Sequence, residues 1–426
     1  MNVKGTRDFL PEEMILRQQV LDNIRNSFEI FGFQPLDTPA LETWETLSSK
    51  GAGGKEILDE TYNFKDKGDR MIGLRYDLTV PLARVVSSNP NLNLPFKRYQ
   101  IGNVWRYGDV AKARFRQFLQ ADIDIVGSES MNADAEVIWC AITVLNSLGF
   151  KKFLVRINNR KILEAIVKYA GVDKKKTMDV FRAIDKLEKV GVSAVKKEMK
   201  EKGLTSESIE KIIELISIKG EPDKVLKKLE TNIDNDGIKE LKEIIKYLKD
   251  AGVDSKFTVD LSLARGLEYY TGPIFEVFAE DGIGSIAGGG RYDKMIGLFG
   301  GKDVPATGIS FGIERIIEVI NDRKMIDSKK SNVNVFVIGV NEKMSKNVLE
   351  IVKKLREKTI SADYDLRSRS MSKQLNYANS SGIPFVVIIG EKELEKSSVK
   401  LKNMSTGKED IVKISDVAKK LLGSRP

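Results

Sequence analysis

The stretch from Val104 to Val126, VWRYGDVAKARFRQFLQADIDIV, constrains the fold more than any other. Its second half alternates: Ala121, Ile123 and Ile125 fall on one face of a strand, and Gln120, Asp122 and Asp124 on the other. The apolar run IGNVW leads into Arg106, and Gly108 to Ala113 reads as a loop. The unit is therefore predicted to be an antiparallel hairpin with Arg106, Arg114 and Arg116 near its open end. One account is a half-solvated sheet carrying ordinary surface charges. The other rests on chemistry: arginines hold phosphates and carboxylates hold cations, so one hairpin could grip a nucleotide beside an amine-bearing substrate.

At 426 residues the chain is long enough for two or three domains. Its hydrophobic content of 41% is ordinary for a globular protein, and no apolar run reaches membrane-spanning length. The opening MNVKGTRDFLPEE lacks the apolar core of a signal peptide, which predicts a cytoplasmic protein with no membrane partner. The single cysteine, Cys140 in VIWCAITVL, reads as a core residue and leaves no disulfide framework or cysteine metal site. The net charge of +9, from 70 basic and 61 acidic residues, suits an anionic partner such as nucleic acid, and equally suits lysine-rich helical surfaces.

There is no histidine anywhere. A Ser-His-Asp triad, a histidine general base and a histidine-ligated zinc are all excluded. Catalysis must rest on arginine, carboxylates, a metal ion and positioning, which suits phosphoryl or nucleotidyl transfer.

In chain order, Pro11 suits the first turn of a helix, with Glu12 and Glu13 at its positive end. Val20, Leu21, Ile24, Phe28 and Phe31 recur at helical spacing, and the helix is expected to end near Gly32. Pro35 and Pro39 suit an extended edge segment, and Gly51 to Gly54 a flexible break. LRYDLTVPLARVV begins as a strand and becomes a helix near Pro81, leaving Asp77 and Thr79 at the junction, either facing a ligand or capping the helix. From about Asp173 to Ala251, segments such as IKELKEIIKYL predict an all-helical insertion whose charges are either a solvated face or a nucleic-acid contact.

Strand character returns at Phe257 with FTVDLSLARGLEYYTGPIFEVFA, interrupted by Arg265 and Gly266. After a polar turn at Asp281 to Gly284, SIAGGGRYD carries three successive glycines, which allow close backbone approach to a ligand or make a tight bend between strands. ATGISFGIERIIEVI runs from strand into helix and puts Arg315 near the junction, at a ligand or simply on the surface. Beyond a polar linker, VNVFVIGV, a helix marked by Val348, Val352 and Leu355, PFVVIIG, SVKLK and DIVKI about a turn at Gly407, and a last helix ending near Leu422 predict an α/β domain of about 95 residues.

Taken together, KGTRDFLP, PLDTPALE, LRYDLTVPLAR, VWRYGD with RFRQFLQADIDIVG, LARGLEYYTGPIFE, AGGGRYD and GISFGIERI resemble, in order and over nearly all positions, the histidyl-tRNA synthetases, a class II aminoacyl-tRNA synthetase family. LARGLEYY and AGGGRYD are similar to the two histidine-specific motifs of that family. The resemblance implies an α+β catalytic domain on an antiparallel sheet over 1–325, interrupted by the helical insertion at 173–251. It further implies a C-terminal α/β anticodon-binding domain over 331–426 and a homodimer with the segment around Pro39 and Glu42 at its interface. The implied reaction has two steps: the L-histidine carboxylate attacks the α-phosphate of ATP, and the adenylate then passes its aminoacyl group to tRNA(His).

By resemblance, Asp77, Thr79 and Gln120 would hold the substrate α-amino group, and Asp124 and Tyr270, with Tyr269 beside them, would read the imidazole. Arg106 and Arg265 would be the catalytic pair at the α-phosphate and carboxylate. Arg315 would hold the distal phosphates, with Arg114 a further ATP contact. Mg²⁺ is expected to bridge phosphate oxygens with few protein ligands, and none is assigned. Two positions depart from the family: Gly108 stands where an acidic residue is common, with Asp109 next to it, and Asp124 stands where a glutamate is familiar. The shorter aspartate would need backbone position or water to make up its reach. The rival reading is a regulatory paralogue serving ATP phosphoribosyltransferase. Such chains tend to lack the anticodon domain and the charged site residues, both of which are retained here.

Overall fold

The protein, seen in a computed structural model, is described over residues 1–49, 54–264, 269–279, 284–300, 302–327 and 329–423. It divides into two compact units, Met1–Arg7 with Val20–Met325, and Asp8–Gln19 with Ile326–Pro426. The first helix, Pro11–Ile30, carries Glu12 and Glu13 in its first turn and stops before Gly32, whose φ of 76° a side chain would resist.

The first unit holds eleven strands among its described residues. They are β1 (Gln34–Pro35), β2 (Leu41–Thr43), β3 (Asn63–Lys65), β4 (Met71–Leu74), β5 (Phe96–Trp105) and β6 (Gln117–Val126). After these come β7 (Phe153–Asn159), β8 (Phe257–Val259), β9 (Pro273–Ala279), β10 (Ser285–Arg291) and β11 (Ala306–Gly312). Eight build one sheet in the order β1-β5-β6-β11-β10-β9-β7-β8, and β2-β4-β3 form a small second sheet. The large sheet is antiparallel from β5 to β7. Its edges are not: β1 pairs parallel with β5, and β8 parallel with β7. The expectation of an antiparallel sheet therefore needs correction at both edges. Parallel neighbours need a long crossover, and the helical stretch between β7 and β8 supplies one.

The expected hairpin is present, with β5 and β6 in register from Phe96 opposite Val126 to Trp105 opposite Gln117. Arg106, Arg114 and Arg116 sit in its connecting segment, so they occupy the closed end and not the open one. The half-solvated account also fails. Ala121 and Ile123 are fully buried, yet Asp122 and Asp124 on the opposite face are only 2% and 3% exposed. Phe28 of the first helix covers the apolar face, its ring 5.8 Å from those of Tyr99 and Phe311. Tyr292 and the carbonyl of Leu78 reach the polar face.

The three glycines of AGGGR do not bend the chain. They lie inside β10, in register with β9 and β11. A Cβ on Gly289 would stand 2.0 Å from the Gly308 carbonyl, and one on Gly290 2.5 Å from that of Pro273. Neighbouring backbones occupy the space that side chains would need, leaving a flat, bare floor.

Cys140 is buried in the helix Met131–Ser147, as its apolar setting suggests. The insertion is helical: a 3₁₀ turn at Lys174–Lys176 precedes helices Thr177–Asp185, Leu187–Glu201, Ser206–Ile216, Pro222–Glu230 and Asp236–Asp250. Many of its charges pair between helices on the outside, as Lys186 does with Glu198 and Lys196 with Glu210, both at 2.7 Å. Such exposed pairs stabilise little.

The second unit carries β12 (Val335–Gly339), β13 (Ala362–Tyr364), β14 (Phe385–Ile389), β15 (Ser398–Asn403) and β16 (Glu409–Lys413), ordered β13-β12-β14-β15-β16. It also carries helices Ser345–Glu357, Met371–Ser380, Glu391–Glu395 and Val417–Leu422. The breaks expected at Gly51 to Gly54 and Asp281 to Gly284 lie outside the described residues, apart from Gly54, which opens the helix Gly54–Asp59, and Gly284.

Candidate active site

Two cavities meet on the polar face of the large sheet. The larger, about 460 Å³, is lined by Glu60, Arg106, Arg114, Phe118 and Arg315 among others. The smaller, about 150 Å³, is lined by Asp77, Thr79, the β6 face of Gln120, Asp122 and Asp124, and by Tyr269, Tyr270 and Tyr292. Arg106, Gln120, Gly288 and Ser310 belong to both walls. One cavity is thus ringed by guanidiniums, the other by carboxylates, with Arg106 at their junction.

Asp77 follows β4 and precedes the helix Thr79–Ser88. The capping account holds. Its Oδ1 accepts from the Val80 N–H at 3.0 Å and caps the helix, while its Oδ2 is buried without a partner. Burial pushes its pKa up to about 6, against the Val80 N–H and the Arg106 charge. Gln120 donates from Nε2 to Ser310 Oγ at 2.6 Å, which leaves its Oε1 buried and unpartnered. Thr79 is half-buried beside them.

Arg106 is anchored by donating from Nε to the Tyr76 carbonyl at 2.9 Å, and its guanidinium stands 5.4 Å from the centre of the Phe118 ring. Arg315, in the first turn of the helix Ile313–Arg323, donates to the Ser285 carbonyl and lines the larger cavity, so it is no plain surface arginine. Arg114 lines the same wall from an exposed position.

Asp124 is held hard. Its Oδ1 accepts from the Tyr292 hydroxyl and lies where a Cβ on Gly308 would come within 2.0 Å. Its Oδ2 is 2.7 Å from Nη2 of Arg98, a fully buried arginine. Burial raises the Asp124 pKa and Arg98 restrains it. Asp122 is pushed up to about 7 by burial, with Arg98 opposing and Asp124 adding to the rise. The rings of Tyr269 and Tyr270 meet edge to face with centroids 4.8 Å apart, and burial raises both phenols, so they act as neutral donors. Arg265 lies outside the described residues.

A family model described as histidyl-tRNA synthetase matches residues 5–316, and one described as an anticodon binding domain matches residues 334–423. Histidine–tRNA ligases from Korarchaeum cryptofilum and Bacillus cereus are 42% and 39% identical to the chain, covering 97% and 98% of it and 96% and 98% of their own lengths. The chain belongs to the histidyl-tRNA synthetase family. A solved histidyl-tRNA synthetase from Nostoc superposes over 100% of the chain and 99% of its own, with a TM-score of 0.89 at 32% identity. Its activity is that of the family: ATP-dependent activation of histidine and its transfer to tRNA. No described helix is long and apolar enough to cross a membrane.

Several residues lining the two cavities have no role legible in the sequence. Asp122 reads only as part of a polar face. Arg98 carries no local signal, since the register of β5 against β6 alone brings it opposite Asp124, and Phe118, Ser310 and Tyr292 lie within RFRQFLQADIDIVG, GISFGIERI and AGGGRYD without a role read for them. Glu60 is the other. Its carboxylate lies 3.2 Å from where a Gly108 Cβ would stand, and its carbonyl accepts from the Tyr107 N–H at 2.7 Å. A carboxylate thus reaches the wall beside the position where the sequence has glycine.

Proposed function

We propose that the smaller cavity takes L-histidine, the larger takes ATP, and Arg106 spans the reacting atoms between them. The observation that carries this reading is the shared wall, with carboxylates on one side and guanidiniums on the other. Asp77 Oδ2, Gln120 Oε1 and the Thr79 hydroxyl offer three acceptors to the three N–H bonds of the α-ammonium group. Asp124 and Tyr270, with Tyr269 beside them, read the imidazole from the wall of the same cavity. Arg106 and Arg265 are the catalytic residues. As a histidine carboxylate oxygen bonds to the α-phosphorus and the α–β P–O bond breaks, negative charge builds on the phosphoryl oxygens and leaves with pyrophosphate. Fixed guanidiniums facing that charge stabilise the transition state more than the ground state. Arg315 and Arg114 hold the remaining phosphates. In the second step the terminal ribose hydroxyl of tRNA(His) attacks the carbonyl and AMP departs.

Mg²⁺ would arrive on the phosphates, with few protein ligands. Glu60, Asp185 and Glu314 are the carboxylates of the larger cavity wall; Glu314 is paired with Arg7 at 3.1 Å, and Glu60 is the one that would contribute. Mg²⁺ would supply charge neutralisation on the phosphates.

We assign residues 1–325, interrupted at 173–251, to catalysis and 331–426 to the anticodon, in a cytoplasmic homodimer. Leu41, Phe64 and Met71 on the small sheet are 47%, 46% and 40% exposed, which supports burial against a second copy. Glu42 is already engaged within the chain by Arg84 at 2.7 Å, so it orders the segment without reaching across.

The test is amino-acid-dependent pyrophosphate–ATP exchange with all twenty amino acids. Exchange with histidine alone, lost in Arg265→Ala, is expected. No exchange with any amino acid in folded protein would favour the regulatory-paralogue reading.

A further inference from the structure

KGTRDFLP opens the chain, and two of its residues grip the wall of the larger cavity. Gly5 takes the first hold. Its carbonyl accepts from the N–H of Arg116 at 2.9 Å and of Gln117 at 3.3 Å, where the hairpin's connecting segment passes into β6. Its φ is 82°, and a Cβ there would stand 2.6 Å from Cγ of Arg116, so only a bare backbone lets the arginine stem lie across the turn. Arg7 takes the second hold. Its guanidinium stands 4.4 Å from the centre of the Phe115 ring, and its Nη2 donates to Glu314 Oε2 at 3.1 Å. Phe115 and Glu314 both line the larger cavity. Phe115 comes from the hairpin and Glu314 from the first turn of the helix Ile313–Arg323, next to Arg315.

Glu314 poses an electrostatic problem. It is 6% exposed and shares its cavity with Arg106, Arg114 and Arg315, which suit an anionic ligand. An uncompensated carboxylate in that wall would repel a polyphosphate where the local dielectric is low and Coulomb interactions are strong. The same side chain is needed for structure, since its Oε1 accepts from the Leu119 N–H at 3.4 Å and ties β6 to the helix. Arg7 supplies the opposite charge from the solvent side of the pair, its side chain 37% exposed against 5% for Glu314.

We propose that Arg7 is a positioning residue for the nucleotide. It cancels the Glu314 charge and joins the hairpin to the helix, so that Arg114 and Arg315 face the phosphates across a fixed gap. It acts through Glu314 and Phe115 and touches no substrate itself. This rests on the reading of the larger cavity as the ATP site. The N-terminal turn then belongs to the nucleotide-binding apparatus, from behind the residues that line it.

The experiment measures histidine-dependent pyrophosphate–ATP exchange by the full-length chain, with KM for ATP and for histidine determined separately. The variants are Arg7→Met, Arg7→Lys, Glu314→Gln, Arg7→Met with Glu314→Gln, and Arg315→Ala. Methionine keeps a stem against Phe115 and removes the charge. Arg7→Met is expected to raise KM for ATP by about three- to tenfold, the range of a partly exposed charge-assisted hydrogen bond, and KM for histidine by about twofold at most. The penalty should shrink at high salt, which screens an exposed charge. Arg7→Lys should keep most of the wild-type affinity, because the charge remains. Adding Glu314→Gln to Arg7→Met should return KM for ATP most of the way to wild type, since glutamine still accepts from the Leu119 N–H and carries no charge. A merely structural brace would be damaged further by the second change, so a double variant no better than Arg7→Met overturns the proposal. Unchanged KM for ATP in Arg7→Met, with Arg315→Ala raising it, also overturns the proposal and leaves the site reading standing. Glu314→Gln alone raising the Mg²⁺ concentration for half-maximal exchange would give the carboxylate to the metal and overturn the cancelling role. Arg315→Ala without effect on KM for ATP would overturn the reading of the cavity itself.

Discussion

Arg106→Ala is expected to slow histidine-dependent pyrophosphate–ATP exchange by about 10²–10³-fold, the loss typical when one fixed donor to developing charge is removed. The reason is placement. Arg106 lines both cavities, and its Nε bond to the Tyr76 carbonyl points the rest of the guanidinium at the space between them. Its side chain is half-buried, so the unfolding free energy should fall by only about 1 kcal/mol, the scale of one lost hydrogen bond. Arg106→Lys should recover part of the rate, because it keeps the charge but not the planar fork or the anchored Nε. The signature to look for in rapid-quench measurement of adenylate formation is a reduced rate constant at saturating histidine and ATP. A variant that only raised the KM values, with that rate constant intact, would mean Arg106 binds ground-state substrate and does not stabilise the transition state.

What could be read in advance follows a physical divide. Long periodic elements were legible: the hairpin of β5 and β6, the helix Thr79–Ser88 after a strand, and the helical insertion all announce themselves through spacing. Short or polar elements were not. β13 is three residues long, and the helix MSKQLNYANS buries only Gln374 and Ala378, so neither presents a periodic apolar face. The alternation in β6 correctly separated its two faces but could not show that both are buried, because burial of the polar face depends on Tyr292 and Leu78, which are distant in sequence. The glycines of β10 leave close approach to a ligand and a bend equally open, because a local reading cannot see the β9 and β11 backbones on either side. For the same reason no local reading finds Arg98, whose Nη2 lies 2.7 Å from Asp124. Arg98 lies on the neighbouring strand directly opposite Asp124, a relation set by register.

That pairing leads to the second large effect. Arg98→Met is expected to lower the unfolding free energy by about 3–5 kcal/mol, since removing one partner of a buried pair leaves the other charge uncompensated. Arg98 is fully buried, with Nη2 2.7 Å from Asp124 and 3.1 Å from the Leu78 carbonyl, and methionine fills much of its stem volume without replacing either contact. The pH dependence follows from the same geometry. Burial already raises the Asp124 pKa, and Arg98 is the charge that holds it back. Without Arg98 the folded-state pKa must climb further above its unfolded value of about 3.9. A carboxyl shifted upward on folding binds more protons in the native than in the unfolded chain, so its penalty grows as pH rises from the unfolded pKa through the folded one. The stability gap between wild type and Arg98→Met should accordingly widen as pH rises above the unfolded carboxyl range, as read by urea unfolding. Arg98→Met with Asp124→Asn removes both charges together and should regain most of the loss at pH 8. A double variant as unstable as the single one, with a gap that ignores pH, would mean that Arg98 matters through packing alone.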